Sequence, residues 1–346
     1  MQLYFVVMET KSVIVIGVCF VFALRVTGCG VSVKNEEVTI ETKTLRVDAQ
    51  GELETYTCYK GLFYAVFAQS QSEPWQAGDK RTLYVLTPDG KVVKKIDLPG
   101  ILNEYRYSQF YVHNDSLFLI PRKDFYSSLY LDEKRSEWQI LPNYRVPLYE
   151  DDRFTVTSSC SGEWGGTVIF TDKMTGEQYE GAATCAEFVQ KWDHSYFVTS
   201  YMPHLTTSMS ITRIDNPVEM MPFDSLRIHK DLGWNESKSL QGIEVLLKQT
   251  GINPITLFMQ RGRLMMLYLN EYNEMQIGKI ADGRLHPGCS LEGLVEDCCV
   301  CTHPSSADTV QYLWFKSDAK RVSTGKNRGY GFMILTPESV QLYYLR

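Results

Sequence analysis

A six- or seven-bladed β-propeller is the fold class this sequence predicts, and three observations predict it. The first is a recurring strand–turn–strand unit, whose cleanest copy is LYVLTPDGKVVKKIDL over residues 83–98. Two runs of β-forming residues flank Thr87-Pro88-Asp89-Gly90, where Pro sets φ, Asp bonds back to the backbone and Gly accepts φ above zero. The second is spacing. Hairpins starting at 83, 128, 167 and 210 are separated by 45, 39 and 43 residues, and a repeat of ~40–50 residues with three or four short strands is the length of one blade. The third is composition: 21 Tyr, 16 Phe and 6 Trp in 346 residues suit pleated sheets, which pack flat rings well.

The chain opens on an export segment. Residues 13–24 (VIVIGVCFVFAL) are apolar and follow Lys11, a run too short to span a bilayer at ~20 residues but suited to a signal-peptide core. It leads into Val26-Thr27-Gly28-Cys29, which resembles the bacterial lipobox of an aliphatic residue, two small ones and Cys. That resemblance implies a lipoprotein signal peptide over 1–28, with lipid (palmitate among its acyl chains) attached to Cys29 as the first mature residue, and a polar tether over 29–37. A plain secretory signal cut near Gly28 or Gly30 is the alternative. Lys34, Glu36 and Glu37 loosely resemble the acidic export signal of surface lipoproteins in some Gram-negative bacteria.

The propeller is then expected over 38–346. Residues 38–45 alternate as a strand, and 62–69 (LFYAVFAQ) precede the first hairpin. A second unit spans 110–141, a third 154–182 and a fourth 188–215, with another over 255–280 and a last over 310–345. Each blade must bury both faces against neighbours, which explains strands apolar on both sides. The later spacings, 66 and 55, break the rhythm. An insertion over about 224–251 fills the first gap, and its residues 239–249 predict one short helix. Ser237 or Ser239 would cap it, with Leu240, Ile243, Leu246 and Leu247 on one face. Ring closure predicts pairing of 38–45 with 340–345, because closure removes exposed edges.

Together, the export signal and this rhythm resemble the propeller lipoproteins of Gram-negative bacteria across the whole mature chain. The resemblance implies a lipid-anchored protein of the cell envelope, with the outer membrane the expected location. Charge points away from nucleic acid. The formal balance is −6, with 35 basic against 41 acidic residues, and phosphate binding needs a basic footprint.

Nine cysteines include Cys19 in the leader and Cys29, leaving an odd number for the exported chain and hence a free thiol or an intermolecular partner. Cys160 and Cys185 flank the third hairpin and are the disulfide candidates. Two strand spacings within one blade would hold them ~9–10 Å apart, beyond the reach of a bridge unless loops close the gap, so bridge and buried thiols both stay open. Cys289, Cys298, Cys299, Cys301 and His303 form a soft-ligand cluster, but CCxCxH lacks the two-residue spacing of a zinc knuckle and export favours disulfides, so neither metal nor cofactor is expected.

No G-x-S-x-G elbow occurs, and Thr171–Gly176 is only a remote, unrepeated approach to the sialidase turn. Ser158–Gly166 (SSCSGEWGG) is the most unusual loop. Its glycines allow close backbone approach and Trp164 offers a stacking face, although a tight blade turn covering the sheet edge explains it as well. Residues expected to contact a ligand at the axial mouth are Tyr107, Trp164, His204 and Arg261, each near a strand end or turn. The functional expectation is a non-enzymatic envelope lipoprotein binding a partner protein or glycan. The alternative is a polysaccharide lyase or hydrolase with catalytic residues on loops of several blades.

Overall fold

The computed structural model describes residues 14–17, 20–27, 30–34, 38–69, 80–100, 102, 108–121, 127–142, 146–160, 162, 165–202, 207–224, 239–291, 294–295, 310–317 and 329–345. Six sheets follow one another along it, antiparallel throughout except where the N-terminal strand joins the last one. Blade 1 comprises Glu52–Tyr59, Leu62–Gln69, Lys80–Leu86 and Val92–Asp97, in that order from axis to rim. Blade 2 comprises Ser108–His113, Ser116–Pro121, Ser127–Asp132 and Glu137–Pro142. Blade 3 begins with the two-residue strand Tyr149–Glu150 and continues through Phe154–Cys160, Gly166–Asp172 and Gln178–Ala182. Blade 4 uses Ala186–Trp192, Ser195–Met202, Ser208–Ile214 and Glu244–Thr250; blade 5 uses Asn253–Gln260, Arg263–Leu269, Met275–Ala281 and Arg284–Ser290. Blade 6 uses Leu294–Val295, Gln311–Ser317, Gly329–Leu335 and Val340–Leu345. The protein is a six-bladed, all-β propeller.

The ring closes as the sequence expects, with one added detail. Thr39–Leu45 lies beside Val340–Leu345 in parallel register, from Val340 opposite Ile40 to Leu345 opposite Leu45. Gly30–Lys34, Phe20–Thr27 and Ile14–Gly17 follow outward from it. Past Leu45, Val47 and Ala49 pack into the wedge between blades 6 and 1. Gly51 then takes φ 105°, and a Cβ there would lie 2.4 Å from the Ala68 carbonyl oxygen. Only glycine fits that approach.

Apolar side chains cement the seams between blades. Separate clusters join blades 1 and 2, 3 and 4, 4 and 5, 5 and 6, and 6 and 1. Fully buried members such as Val66, Leu83, Val198, Leu267 and Val340 each contribute roughly 1.5–3 kcal/mol by leaving water. Among the described residues blades 2 and 3 share no such cluster. Instead His113 of blade 2 faces Glu150 of blade 3, at 3.1 Å.

The expected helix over 239–249 is absent, and Glu244–Thr250 is the rim strand of blade 4. Ser208–Ile214 offers an open edge there, and pairing with it outweighs helical spacing. The Leu246-Leu247 pair, which breaks strand alternation, is absorbed by a bulge. Leu247 sits opposite Ile211 and Val245 opposite Thr212, so Leu246 is the extra residue. The stretch before it is an excursion. After blade 4's third strand the chain reaches back to blade 3, where Met221–Pro222 pairs with Glu180 and Tyr179. It then passes Ser239, whose carbonyl accepts the Ala182 N–H at 2.9 Å.

Candidate functional site

Tight two-residue turns join the first two strands of several blades, and φ is positive at Lys60 and Gly61, Asn114 and Asp115, and Arg261 and Gly262. This is the hairpin geometry that matches strand twist, and it accounts for the Gly, Asn and Asp found there. Such turns leave little slack, so the side chains beside them are fixed. In blades 1 to 4 these turns come together as an arc of charged residues on one face of the ring.

At the blade 1–2 end, Lys60 Nζ lies 2.7 Å from Glu133 and 3.5 Å from Asp115. The Tyr59 hydroxyl lies 2.5 Å from Glu133 and 2.7 Å from the Asp115 carbonyl. Bonds from Lys60 and Tyr59 hold the Glu133 carboxyl below its ordinary range. Burial, reinforced by Glu133, pushes the Tyr59 phenol up to about 12. At the blade 2–3 seam, Glu150 takes both His113 and Lys173 as partners. Burial lowers the His113 pKa and Lys173 lowers it further, against the pull of Glu150.

Between blades 3 and 4 the centre is Asp151. Its Oδ1 accepts the backbone N–H groups of Arg153 at 2.9 Å and Phe154 at 2.7 Å. Its Oδ2 accepts Lys191 Nζ at 2.7 Å and the Tyr196 hydroxyl at 2.6 Å. Burial pushes this carboxyl up, but the four donors outweigh it and the pKa falls below the usual range. Asp172 follows the same pattern, accepting backbone N–H groups of Met174 and Thr175 and the Arg153 guanidinium. Asp215 accepts Ser195 and Arg213. Carboxylates saturated by donors stay ionised and are poor proton carriers at neutral pH. The arc is therefore suited to presenting fixed charge.

Of the residues read from the sequence as ligand contacts, Tyr107, Trp164 and His204 lie outside the described residues, as do Cys29, expected from the sequence to carry lipid, and Cys298, Cys299, Cys301 and His303. Arg261 is described and serves the closure. Its Nη2 donates to Thr39 Oγ1 at 2.8 Å, and its backbone N–H donates to the Pro337 carbonyl at 3.0 Å. Cys160 and Cys185 are bonded, with Cα atoms 4.3 Å apart. The ~9–10 Å separation expected within one blade does not apply. Cys160 ends the second strand of blade 3 and Cys185 immediately precedes blade 4, so they meet across a seam. Cys289 is half-buried, its thiol 3.5 Å from the Ser290 carbonyl. Sequence reasoning missed Glu150, Asp151, Lys191 and Tyr196. The available signal was Asp151-x-Arg153-Phe154, an Asp two and three residues ahead of the N–H groups it accepts, as in an Asx turn.

No protein-family model matches the chain, and neither does any curated protein. Among solved structures, the β-propeller domain of the Trilobed protease from Pyrococcus furiosus is similar at 10% identity, covering 85% of each chain with a TM-score of 0.38. A thermostable family-43 glycoside hydrolase is similar at 9% identity, covering 75% of this chain and 96% of that one, with a TM-score of 0.24. A prolyl endopeptidase is similar at 12% identity, covering 92% of this chain and 48% of that one, with a TM-score of 0.32.

Proposed function

We propose that the chain is a non-enzymatic envelope lipoprotein that engages a partner protein or glycan through the propeller face bearing the charged arc. The observation that carries this reading is the arc itself: side chains from four consecutive blades, locked by mutual ion pairs and tight turns, make a preorganised polar surface. Attachment through Cys29 is the second half of the reading and rests on Val26-Thr27-Gly28-Cys29. Cleavage there would remove the two outermost strands, Phe20–Thr27 and Ile14–Gly17, and leave Gly30–Lys34 at the rim of blade 6. Among the described residues no helix is long and apolar enough to cross a membrane.

The test is photo-crosslinking in intact cells, with the reactive group placed at Asn114 or Asp193 on the arc, or at Lys94 or Glu137 on the rim. The expected result is a discrete adduct from the arc positions only. Identical patterns from arc and rim overturn the reading. Retention of incorporated palmitate by Cys29→Ser would separately overturn the lipid attachment.

A further inference from the structure

His113 stands between the two ends of the arc, and one of its ring nitrogens meets two partners with opposite demands. Nε2 lies 3.1 Å from Glu150 Oε2 across the seam and 3.1 Å from Asn114 Nδ2 on its own hairpin. A carboxylate oxygen only accepts, so it needs a proton on Nε2, whereas an amide NH2 only donates and needs a bare lone pair there. With Asn114 Nδ2 turned to the ring, the neutral imidazole keeps its proton on Nδ1, and lone pairs face each other at Glu150. An imidazolium instead gives Glu150 a charge-assisted bond and turns an N–H against Asn114. The site has two arrangements, one for each charge state of the ring.

Both arrangements reach beyond the ring. Asn114 and Asp115 form a tight turn at φ 46° and 51°, a region uncommon for residues with a Cβ. The Asp115 carbonyl accepts the Tyr59 hydroxyl at 2.7 Å and its carboxylate lies 3.5 Å from Lys60, so this turn carries the blade 1–2 end of the arc. On the other side Glu150 is bound to Lys173 through Oε1, and it precedes Asp151, the centre of the blade 3–4 end. The site is mostly enclosed, with the His113 side chain 12% and that of Glu150 16% exposed. The Phe118 ring lies 6.2 Å away on the same hairpin. Among the described residues the charged groups acting on the imidazole are Glu150 and Lys173. Burial is the largest force and disfavours the imidazolium; Glu150 opposes it and Lys173 adds to it. The folded chain therefore binds this proton less readily than the unfolded one. Its stability is complete above the ordinary histidine value of ~6.5 and falls as pH drops through the folded value. Glu133, Asp151, Asp172 and Asp215 are all held below the ordinary carboxyl range, so they stay charged while the ring titrates.

We propose that His113 is an acid-responsive switch of the arc: in mild acid Nε2 takes a proton from solvent, exchanges Asn114 for Glu150, releases the 114–115 turn and weakens binding through that face. The ring gains one positive charge beside Lys173, and the turn that places Asp115 against Lys60 and Tyr59 loses its side-chain anchor. The arc depends on being preorganised, so loosening one end lowers affinity without removing a contact residue. The inference deepens the binding reading above by giving it a regulator, and it rests on that reading.

The test uses the full chain labelled with 15N in histidine and asparagine, followed by NMR from pH ~8 to ~5. At the alkaline end His113 Nε2 should show the signal of an unprotonated nitrogen. As pH falls the ring should titrate below ~6.5, and the Asn114 side-chain amide should move with the same midpoint. Glu150→Gln should shift that midpoint down and Lys173→Met should shift it up. In cells, the photo-crosslink from Asp193 should lose several-fold in yield on mild acidification, and His113→Gln should abolish that dependence whatever its yield at neutral pH. An Nε2 already protonated at the alkaline end overturns the proposal. So does an Asn114 amide that ignores the titration, or an acid-sensitive crosslink that survives His113→Gln. An arc-specific crosslink that is insensitive to acid in the native chain discards the switch and retains the binding reading. A coupled titration with no arc-specific crosslink at any pH discards the binding reading, and with it the regulation proposed here.

Discussion

Replacing Arg81 with methionine tests the ion pair that ties blade 1 together beneath its seam with blade 2. Arg81 Nε lies 2.5 Å from Glu54, with the two side chains only 7% and 5% exposed. Glu54 also accepts the Ser108 N–H and hydroxyl at 3.2 Å, and the Arg81 guanidinium donates to the Leu102 carbonyl. Burial pushes the Glu54 pKa up, and Arg81 is the main force opposing it. Removing Arg81 strands a carboxylate, a loss of ~3–5 kcal/mol when one partner of a buried pair is deleted. The pH dependence has a definite sign. A folded pKa above the unfolded one means the folded state holds the proton more tightly, so stability falls as pH rises through that window. Without Arg81 the window extends upward, and each further unit costs ~1.4 kcal/mol. Urea unfolding followed by tryptophan fluorescence should therefore show a modest loss at pH 4.5, reflecting the Leu102 bond and packing, and the full loss at pH 8. Arg81→Met with Glu54→Gln should recover part of it. A loss that is the same at both pH values, or below ~1 kcal/mol at pH 8, would refute the buried-charge reasoning.

Four further outcomes follow from the same geometry. Cys160→Ser with Cys185→Ser, which opens a loop of 25 residues, should cost ~3 kcal/mol, and reductant should lower the midpoint of the native chain but not of the variant. Gly331→Ala places a Cβ 2.2 Å from the Tyr343 carbonyl oxygen and 2.3 Å from the Phe315 ring, so chemical denaturation should show a loss of at least ~1–3 kcal/mol. Asp151→Asn should weaken the arc in a pH-dependent way. The native carboxyl is held below its unfolded value, so its stabilisation is present above that value and disappears as pH falls through the folded one. The gap between native and variant midpoints should thus narrow as pH falls below the ordinary aspartate value of ~3.9. Deleting residues 38–45 removes fully buried Val38 and the strand alongside Val340–Leu345. Light scattering should then find association through the freed edge.

The propeller was legible because its signal is local and repeated. Residues 83–98 carry two strands and their turn within one stretch, and the structure forms Lys80–Leu86 and Val92–Asp97 around Gly90 at φ 86°. The blade count was less legible, because the excursion between Ile214 and Glu244 stretches one interval and its leucines also fit a helix. Deciding between helix and strand required the open edge of Ser208–Ile214, which no local pattern contains. The charged arc was hidden for a related reason. His113 meets Glu150 and Asp151 meets Lys191 and Tyr196 only when consecutive blades stand side by side. The disulfide shows the converse. A spacing rule valid within a sheet gave a separation too large for a pair that meets between sheets.

Blades 3 and 6 share a pattern that links edge protection to the ring's construction. Both gain a strand at the rim from elsewhere in the chain. Blade 3 receives Met221–Pro222 from the excursion after blade 4's third strand, and blade 6 receives Thr39–Leu45 from the N-terminal side. A rim strand adds pairing and covers an edge that would otherwise recruit another chain. Two blades lie between them on either side of the six-membered ring, so the additions stand on opposite sides. The one at blade 6 closes the ring. The one at blade 3, with the Cys160–Cys185 bond and the shared apolar cluster, fastens blade 3 to blade 4. Blade 3 is thus anchored on one side, while its seam with blade 2 carries the polar His113–Glu150 contact.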